Sequence, residues 1–303
     1  MSNYGGAGLR DRAWQMMKKI GSQPTFSPTS LVMLSIASTQ LGSAIAKTLF
    51  DRLSPAAVVL LRVGLAAVVL LLLWRSRIKG IEHKNYGALI LFGLSLGLMN
   101  LSFYLAIERI PIGIAVALEF IGPLGVAIAN SRRLLDLIWV VLAGCGIVLL
   151  APIGGLAVNL TGIILALTAG GFWAAYILLS ARVGRAIPGG VGLALAMVVA
   201  AIVMLPIGIV TGGSALLNPQ MLLIGFGVAI LSSAIPYSFE LEALRWMPVR
   251  VFGVLLSLEP VAAAVIGFIV LRETLELRAI MAIALVTIAA AGASLHGREG
   301  ARG

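Results

Sequence analysis

The chain has 303 residues, of which 60% are hydrophobic and 11% charged, with 22 Lys and Arg against 12 Asp and Glu. A soluble domain cannot bury that much apolar surface around one core, whereas a bilayer is itself an apolar solvent. Uncharged runs of 54 residues (Ala186–Phe239) and 45 residues (Leu137–Ala181) exclude a water-soluble fold.

Residues 1–30 form a polar arm with Gly5, Gly6, Pro24 and Pro28, and they lack the apolar core and cleavage site of a secretory signal. Its residues 9–20 fit a basic amphipathic helix on a membrane surface and fit an unstructured tail equally well. The apolar segments that follow are 31–49, 56–74, 86–107, 111–130, 135–152, 160–181, 190–210, 220–241, 249–271 and 276–295. Each approaches the roughly 20 residues a helix needs to cross hydrocarbon. They are continuously apolar instead of alternating, which excludes a β-barrel. The expected fold is all-α, with ten membrane helices, or nine if one weak separator fails. It divides into repeats at 31–152 and 153–295 and a tail at 296–303.

The first span carries Gln40, Ser43 and Lys47 as one polar stripe, with Lys47 also close enough to an end to snorkel. In the second span Arg62 lies about two turns from the end and is expected to pair with a carboxylate or a helix end, substrate binding being the alternative. The third offers Asn100 and Tyr104 on one face, and its Gly93 and Gly97 predict close helix packing. A charge at a helix centre costs roughly 2.5–3.5 kcal/mol, so Glu119 in the fourth span and Glu259 in the ninth stand out. Glu119 is about 12 Å from one face and Glu259 about 15 Å from the other, at similar depth in a core of about 30 Å. Each neighbours a proline, Pro123 or Pro260, that releases a backbone carbonyl and marks a kink or hinge. The sixth span presents Trp173, Tyr176 and Ser180 along one stripe, and the eighth Ser232, Ser233, Tyr237 and Glu240 around Pro236.

The breakers recur. Pro111 and Pro123 are twelve residues apart, as are Pro248 and Pro260, and a shift of 137 positions superimposes the pairs. That pattern predicts a duplicated bundle. Sixteen basic residues fall in the arm, the even-numbered loops and the tail, against four (Arg52, Arg109, Arg272, Arg278) on the opposite side. This predicts cytoplasmic N- and C-termini and assigns the net charge of +10 to topology instead of to nucleic acid. Five spans per half then require the halves to be inverted.

Nucleotide-binding loops are absent, and no catalytic constellation assembles. The lone Cys145 permits no intrachain disulfide, and neither His83 nor His296 has metal-ligand spacing, so no metal, cofactor or enzymatic activity is expected. The residues leave three readings open: a secondary exporter of small amphiphilic solutes, an efflux pump for cationic drugs, and a membrane protein that transports nothing.

Five motifs resemble the ten-helix, EamA-type amino-acid exporters of the drug/metabolite transporter superfamily. They are the stretch from Gln40 to Lys47, that from Gly113 through Glu119 to Pro123, Ser131-Arg132-Arg133, Pro236-Tyr237-Ser238-Phe239-Glu240, and Ser257-Leu258-Glu259-Pro260. The likeness covers residues 31–295, and the polar arm departs from the shorter start typical of that group. It implies export of threonine- or homoserine-like and aromatic amino acids from the bacterial cytoplasm, through a monomer in the inner membrane, by alternating access. It also implies a central cavity lined by Gln40, Ser43, Asn100, Tyr104, Glu119, Trp173, Tyr176, Tyr237, Ser257 and Glu259. Glu119 and Glu259 are then candidates for proton coupling, Pro123 and Pro260 for hinges, and the fifth and tenth helices are peripheral.

Overall fold

A computed structural model describes residues 27–74, 82–129, 137–150, 159–187, 190–247, 252 and 255–296. Expectations for the arm before residue 27, for Ser131-Arg132-Arg133 and for the tail beyond His296 fall outside the described residues. Those residues contain helices and turns and no strand.

The helices in chain order are α1 (Pro28–Thr48), α2 (Pro55–Trp74), α3 (Tyr86–Ile107), α4 (Ile112–Glu119), α5 (Ile121–Ala129) and α6 (Leu137–Leu150). They continue as α7 (Leu160–Ala186), α8 (Val191–Gly212), α9 (Pro219–Ala229), α10 (Ile235–Trp246), α11 (Glu259–Leu271) and α12 (Leu277–His296). Starts follow local chemistry. Ser27 accepts from the Ser30 N–H ahead of Pro28, Asn159 from the Gly162 N–H, and Asn218 from the Gln220 N–H ahead of Pro219. Among the described residues six helical stretches are long and apolar enough to cross a membrane. They are Pro28–Thr48, Pro55–Trp74, His83–Ile107, Leu160–Ala186, Val191–Leu217 and Pro219–Glu240, while Ile112–Val126, Ile138–Leu149, Glu259–Leu271 and Leu277–Gly292 are apolar but shorter.

Three expected helices are interrupted, each for a backbone reason. The segment at 111–130 is helical on both sides of Phe120, a turn residue between α4 and α5 whose N–H and carbonyl still bond to Val116 and Leu124. Pro123 has no N–H to give the Glu119 carbonyl four residues back, and its ring crowds that carbonyl, so the irregularity falls one turn before the proline. In the segment expected at 249–271, Ser257 and Leu258 form a turn and α11 starts at Glu259. Pro260 therefore lies in the first turn of α11, where its missing N–H is harmless. The third interruption is a π turn at Ile230–Ala234 between α9 and α10, which the sequence reading did not anticipate.

Large apolar side chains such as Leu72, Leu73, Ile202, Val210, Phe268 and Ile269 remain exposed along the helices, as a lipid-facing surface requires. The interior is built from close helix pairs. Helix α3 packs on α7 and α8, α2 on α8 and α9, and α1 on α10 and α11. Helix α4 packs on α11 and α7, α5 on α7, and α6 on α12. At the α5–α7 crossing, a Cβ on Gly122 would collide with the Gly170 carbonyl, and a Cβ on Gly170 would stand 2.6 Å from the Glu119 carbonyl oxygen. Only glycine lets these backbones meet.

Candidate substrate site

The polar side chains gather where the helices are interrupted. Pro236 has no N–H, so the Ser232 carbonyl loses its α-helical donor. In the π turn the Ile235 N–H bonds to Ile230 and not to Leu231, which releases a second carbonyl. Both are taken up from other helices: Ser38 Oγ of α1 donates to the Leu231 oxygen at 2.6 Å, and Arg62 Nη2 of α2 to the Ser232 oxygen at 2.8 Å. Arg62 Nε also donates to Ser233 Oγ at 3.2 Å and Nη1 to Tyr104 Oη at 3.2 Å, with the guanidinium 5.4 Å from the centre of the Tyr104 ring. Of the carboxylate or helix end expected beside Arg62, no carboxylate is a direct partner; among the described residues its partners are neutral hydroxyls and a carbonyl released between α9 and α10.

Pro236→Ala would return an N–H to the Ser232 carbonyl in competition with Arg62. We expect efflux from proteoliposomes to fall about tenfold while the melting temperature holds or rises, because Pro disfavours helix by about 3 kcal/mol relative to Ala.

Four other groups complete the cluster. Glu119 and Glu259 are each 8% exposed, and neither receives a hydrogen bond or ion pair from another described residue. Arg62 and Glu119 lie within electrostatic reach of one another. Tyr237 reaches Arg62, Glu119, Glu240 and Glu259 in the same sense. Glu240 accepts a 2.7 Å hydrogen bond from Ser35 Oγ, a residue the sequence reading passed over.

The remaining expected residues have varied fates. Gln40 and Ser43 are buried, and Gln40 Oε1 has no hydrogen-bond partner. Asn100 is buried, but its Nδ2 donates to Leu96 in its own helix at 2.8 Å, so that donor is already engaged. Trp173 meets Phe120 edge-on at 4.9 Å, against the break between α4 and α5, and Tyr176 stacks obliquely on Phe92 at 5.2 Å. Ser257 is buried in the turn before Glu259. Lys47 is engaged at the end of α1, away from Gln40. Its Nζ meets Glu273 Oε1 at 2.6 Å and the Ile110 carbonyl at 3.1 Å, while Glu273 Oε2 accepts from the Ile112 N–H at 3.0 Å. This clamp ties the end of α1 to the start of α4 and to the α11–α12 connection.

An open groove of about 570 Å³ lies between α5 and α7, lined by Ile121, Gly122, Val126, Leu167 and Leu178 among others. It contains none of the polar cluster. Among the described residues no three His, Cys, Asp or Glu side chains are grouped to hold a metal ion.

Comparison with known proteins agrees with this architecture. The threonine/homoserine exporter RhtA of Salmonella typhimurium (strain SL1344) is 44% identical over 277 residues, covering 90% of this chain and 92% of that protein. The EamA-like transporter family matches residues 160–295. The chain belongs to this family. RhtA of Escherichia coli (strain K12) is 41% identical over 289 residues, covering 94% of this chain and 97% of that one. A solved crystal structure at 17% identity matches with a TM-score of 0.63 over 89% of this chain and 98% of its own, which supports the fold alone. Family and relatives are transporters, so this EamA-like chain is a multi-pass membrane transporter and not an enzyme. The family match covers the second half, which carries Trp173, Tyr176, the π turn, Glu240 and Glu259.

Proposed function

We propose that the chain exports threonine, homoserine and related small amino acids from the bacterial cytoplasm across the inner membrane. The carrying observation is the cluster of buried Arg62, Tyr104, Glu119 and Glu259 with half-buried Tyr237 and Glu240 near the helix irregularities, in a chain 44% identical to a threonine/homoserine exporter. Polar groups at helix breaks inside a membrane bundle are the general form of a transporter's binding site. Identity of 44% to a threonine/homoserine exporter favours this reading over efflux of cationic drugs.

The architecture we favour is ten spans in two inverted halves, 31–152 and 153–295, with α4–α5 and α9–α10 each counted once. Helix pairing supports it. If spans one to five correspond to six to ten, the contact of three with six should recur as eight with one, three with seven as eight with two, and four with six as nine with one. Each of these pairs is in contact: α3 with α7 and α10 with α1, α3 with α8 and α9 with α2, α4 with α7 and α11 with α1. The interruptions also correspond, because Phe120 and Ser257 are 137 positions apart (257 − 120), the offset of the proline pairs. The basic-residue bias favours cytoplasmic N- and C-termini.

In this reading Gln40, Ser43, Asn100, Tyr104, Tyr237 and Ser257 line the path and Trp173 and Tyr176 contact the solute's side chain. Glu119 and Glu259 hold its ammonium group or carry a coupling proton. Pro123 and Pro260 mark where helix segments change angle between states. The test is counterflow of labelled threonine in proteoliposomes; absence of exchange refutes export. For proton coupling, Glu119→Gln is expected to remove the pH dependence of efflux, and an unchanged pH profile would assign the coupling elsewhere.

A further inference from the structure

We propose that Arg62 is the carboxylate-binding residue of the site, its guanidinium being completed by the carboxylate of a zwitterionic α-amino acid whose ammonium group faces Glu119. This rests on the amino-acid export reading and specifies which chemical feature of the solute is recognised.

Arg62 is 6% exposed, and a cation buried in a bundle interior requires either a counter-charge or a function. Among the described residues the ion pairs join Lys47 to Glu273, Lys84 to Glu82 and Arg109 to Glu108, and none includes Arg62. Its three bonds go to Tyr104 Oη, Ser233 Oγ and the Ser232 carbonyl. A guanidinium has five N–H groups, so these leave one on each terminal nitrogen. A carboxylate offers two oxygens spaced to accept such a pair, and it brings a negative charge into direct contact with the guanidinium.

Two further buried polar atoms lie on the elements that meet at this turn. Ser232 Oγ sits in the π turn to which Arg62 is bonded, and Gln40 Oε1 belongs to the helix that packs against that turn. Both residues are 2% exposed, and among the described residues both atoms lack a hydrogen-bond partner. Buried hydroxyl and amide groups rarely remain unpaired in a finished structure. A hydroxyl can donate to a carboxylate and an amide oxygen can accept from an ammonium group, so a bound zwitterion supplies both missing partners. Helix α1 is held close to the turn because Gly42 abuts Ser232 Oγ without room for a Cβ. Glu119, unpaired and within electrostatic reach of Arg62, provides the opposite pole.

Recognition at two poles separates α-amino acids from amines and from simple acids. A site that hydrogen-bonds a polar group rejects the analogue lacking it far more strongly than an apolar pocket rejects a missing methylene. The experiment measures efflux from proteoliposomes of wild type, Arg62→Lys and Arg62→Gln with labelled threonine, threoninamide and threoninol. Wild type should export threonine at least tenfold faster than either analogue. Arg62→Gln should lose at least tenfold in threonine efflux and lose the discrimination, and Arg62→Lys should fall between them, since it keeps the charge without the fork. Should Arg62→Gln fail to fold, the wild-type analogue series still decides. Equal export of threonine and threoninamide by wild type overturns the assignment of Arg62 while leaving amino-acid export standing. Undiminished, discriminating threonine efflux by folded Arg62→Gln does the same. A wild type that moves no amino acid overturns both.

Discussion

Gly170→Ala is expected to abolish transport and lower the melting temperature, although it adds one methyl group to a helix that alanine otherwise favours. The added carbon would stand 2.6 Å from the Glu119 carbonyl oxygen, and that neighbour is backbone, not a side chain able to rotate away. Relief requires α7 to withdraw from the junction of α4 and α5, where Glu119, Phe120 and Trp173 meet. Overpacking of this kind costs about 1–3 kcal/mol. The functional loss should exceed the stability loss, because the displaced backbone carries Glu119. Gly171→Ala is the matched control: nothing lies within 4 Å of its built Cβ, and it should melt and transport like wild type. If the two variants behave alike in melting and threonine efflux, close approach at Gly170 has no special role.

The second large effect concerns the Lys47–Glu273 clamp. Both side chains are mostly sequestered, at 21% and 14% exposure. Glu273 uses one oxygen for Lys47 and the other for the Ile112 N–H at the start of α4, so Glu273→Ala leaves an ammonium and a helix-end donor unmatched together. That should cost about 2 kcal/mol, below the figure for a fully buried pair because water still reaches this one. Glu273→Gln keeps an acceptor for Ile112 and should lose less. Lys47→Met preserves the aliphatic stem and leaves Glu273 on the helix N-terminus, where negative charge is favoured, so it should be the mildest of the three. Thermal melts of the three variants check the ranking. A cysteine placed at Ile110 should also react faster with a polar maleimide in Glu273→Ala than in the unaltered clamp if the pair holds this end shut.

Much of this was legible in the sequence, and the failures share one physical origin. Apolar stretches, capping residues and prolines act locally, which is why Pro28–Thr48 and Leu160–Ala186 lie close to the expected spans. Glu119 and Glu259 stood out because a bilayer penalises them wherever they sit. The partners of Arg62 and Lys47 were not legible. Arg62 bonds to residues 170 and 171 positions away and Lys47 to one 226 positions away, and no pattern along a single helix encodes such meetings. The π turn was hidden for the same reason. Its released carbonyls are tolerable only because Ser38 and Arg62 arrive from other helices, so its existence is a property of the assembled bundle. The position of Pro260 was legible, but a proline reads alike along a sequence whether it bends a helix or starts one.

Cys145 is exposed on α6, a helix that packs mainly on α12 and only lightly on α5. Because it is the sole thiol in the chain, a fluorophore or nitroxide carried on an apolar maleimide will attach at one defined place without any native cysteine having to be replaced. A second cysteine introduced near the π turn would then give a spectroscopic ruler between the α6–α12 pair and the polar cluster.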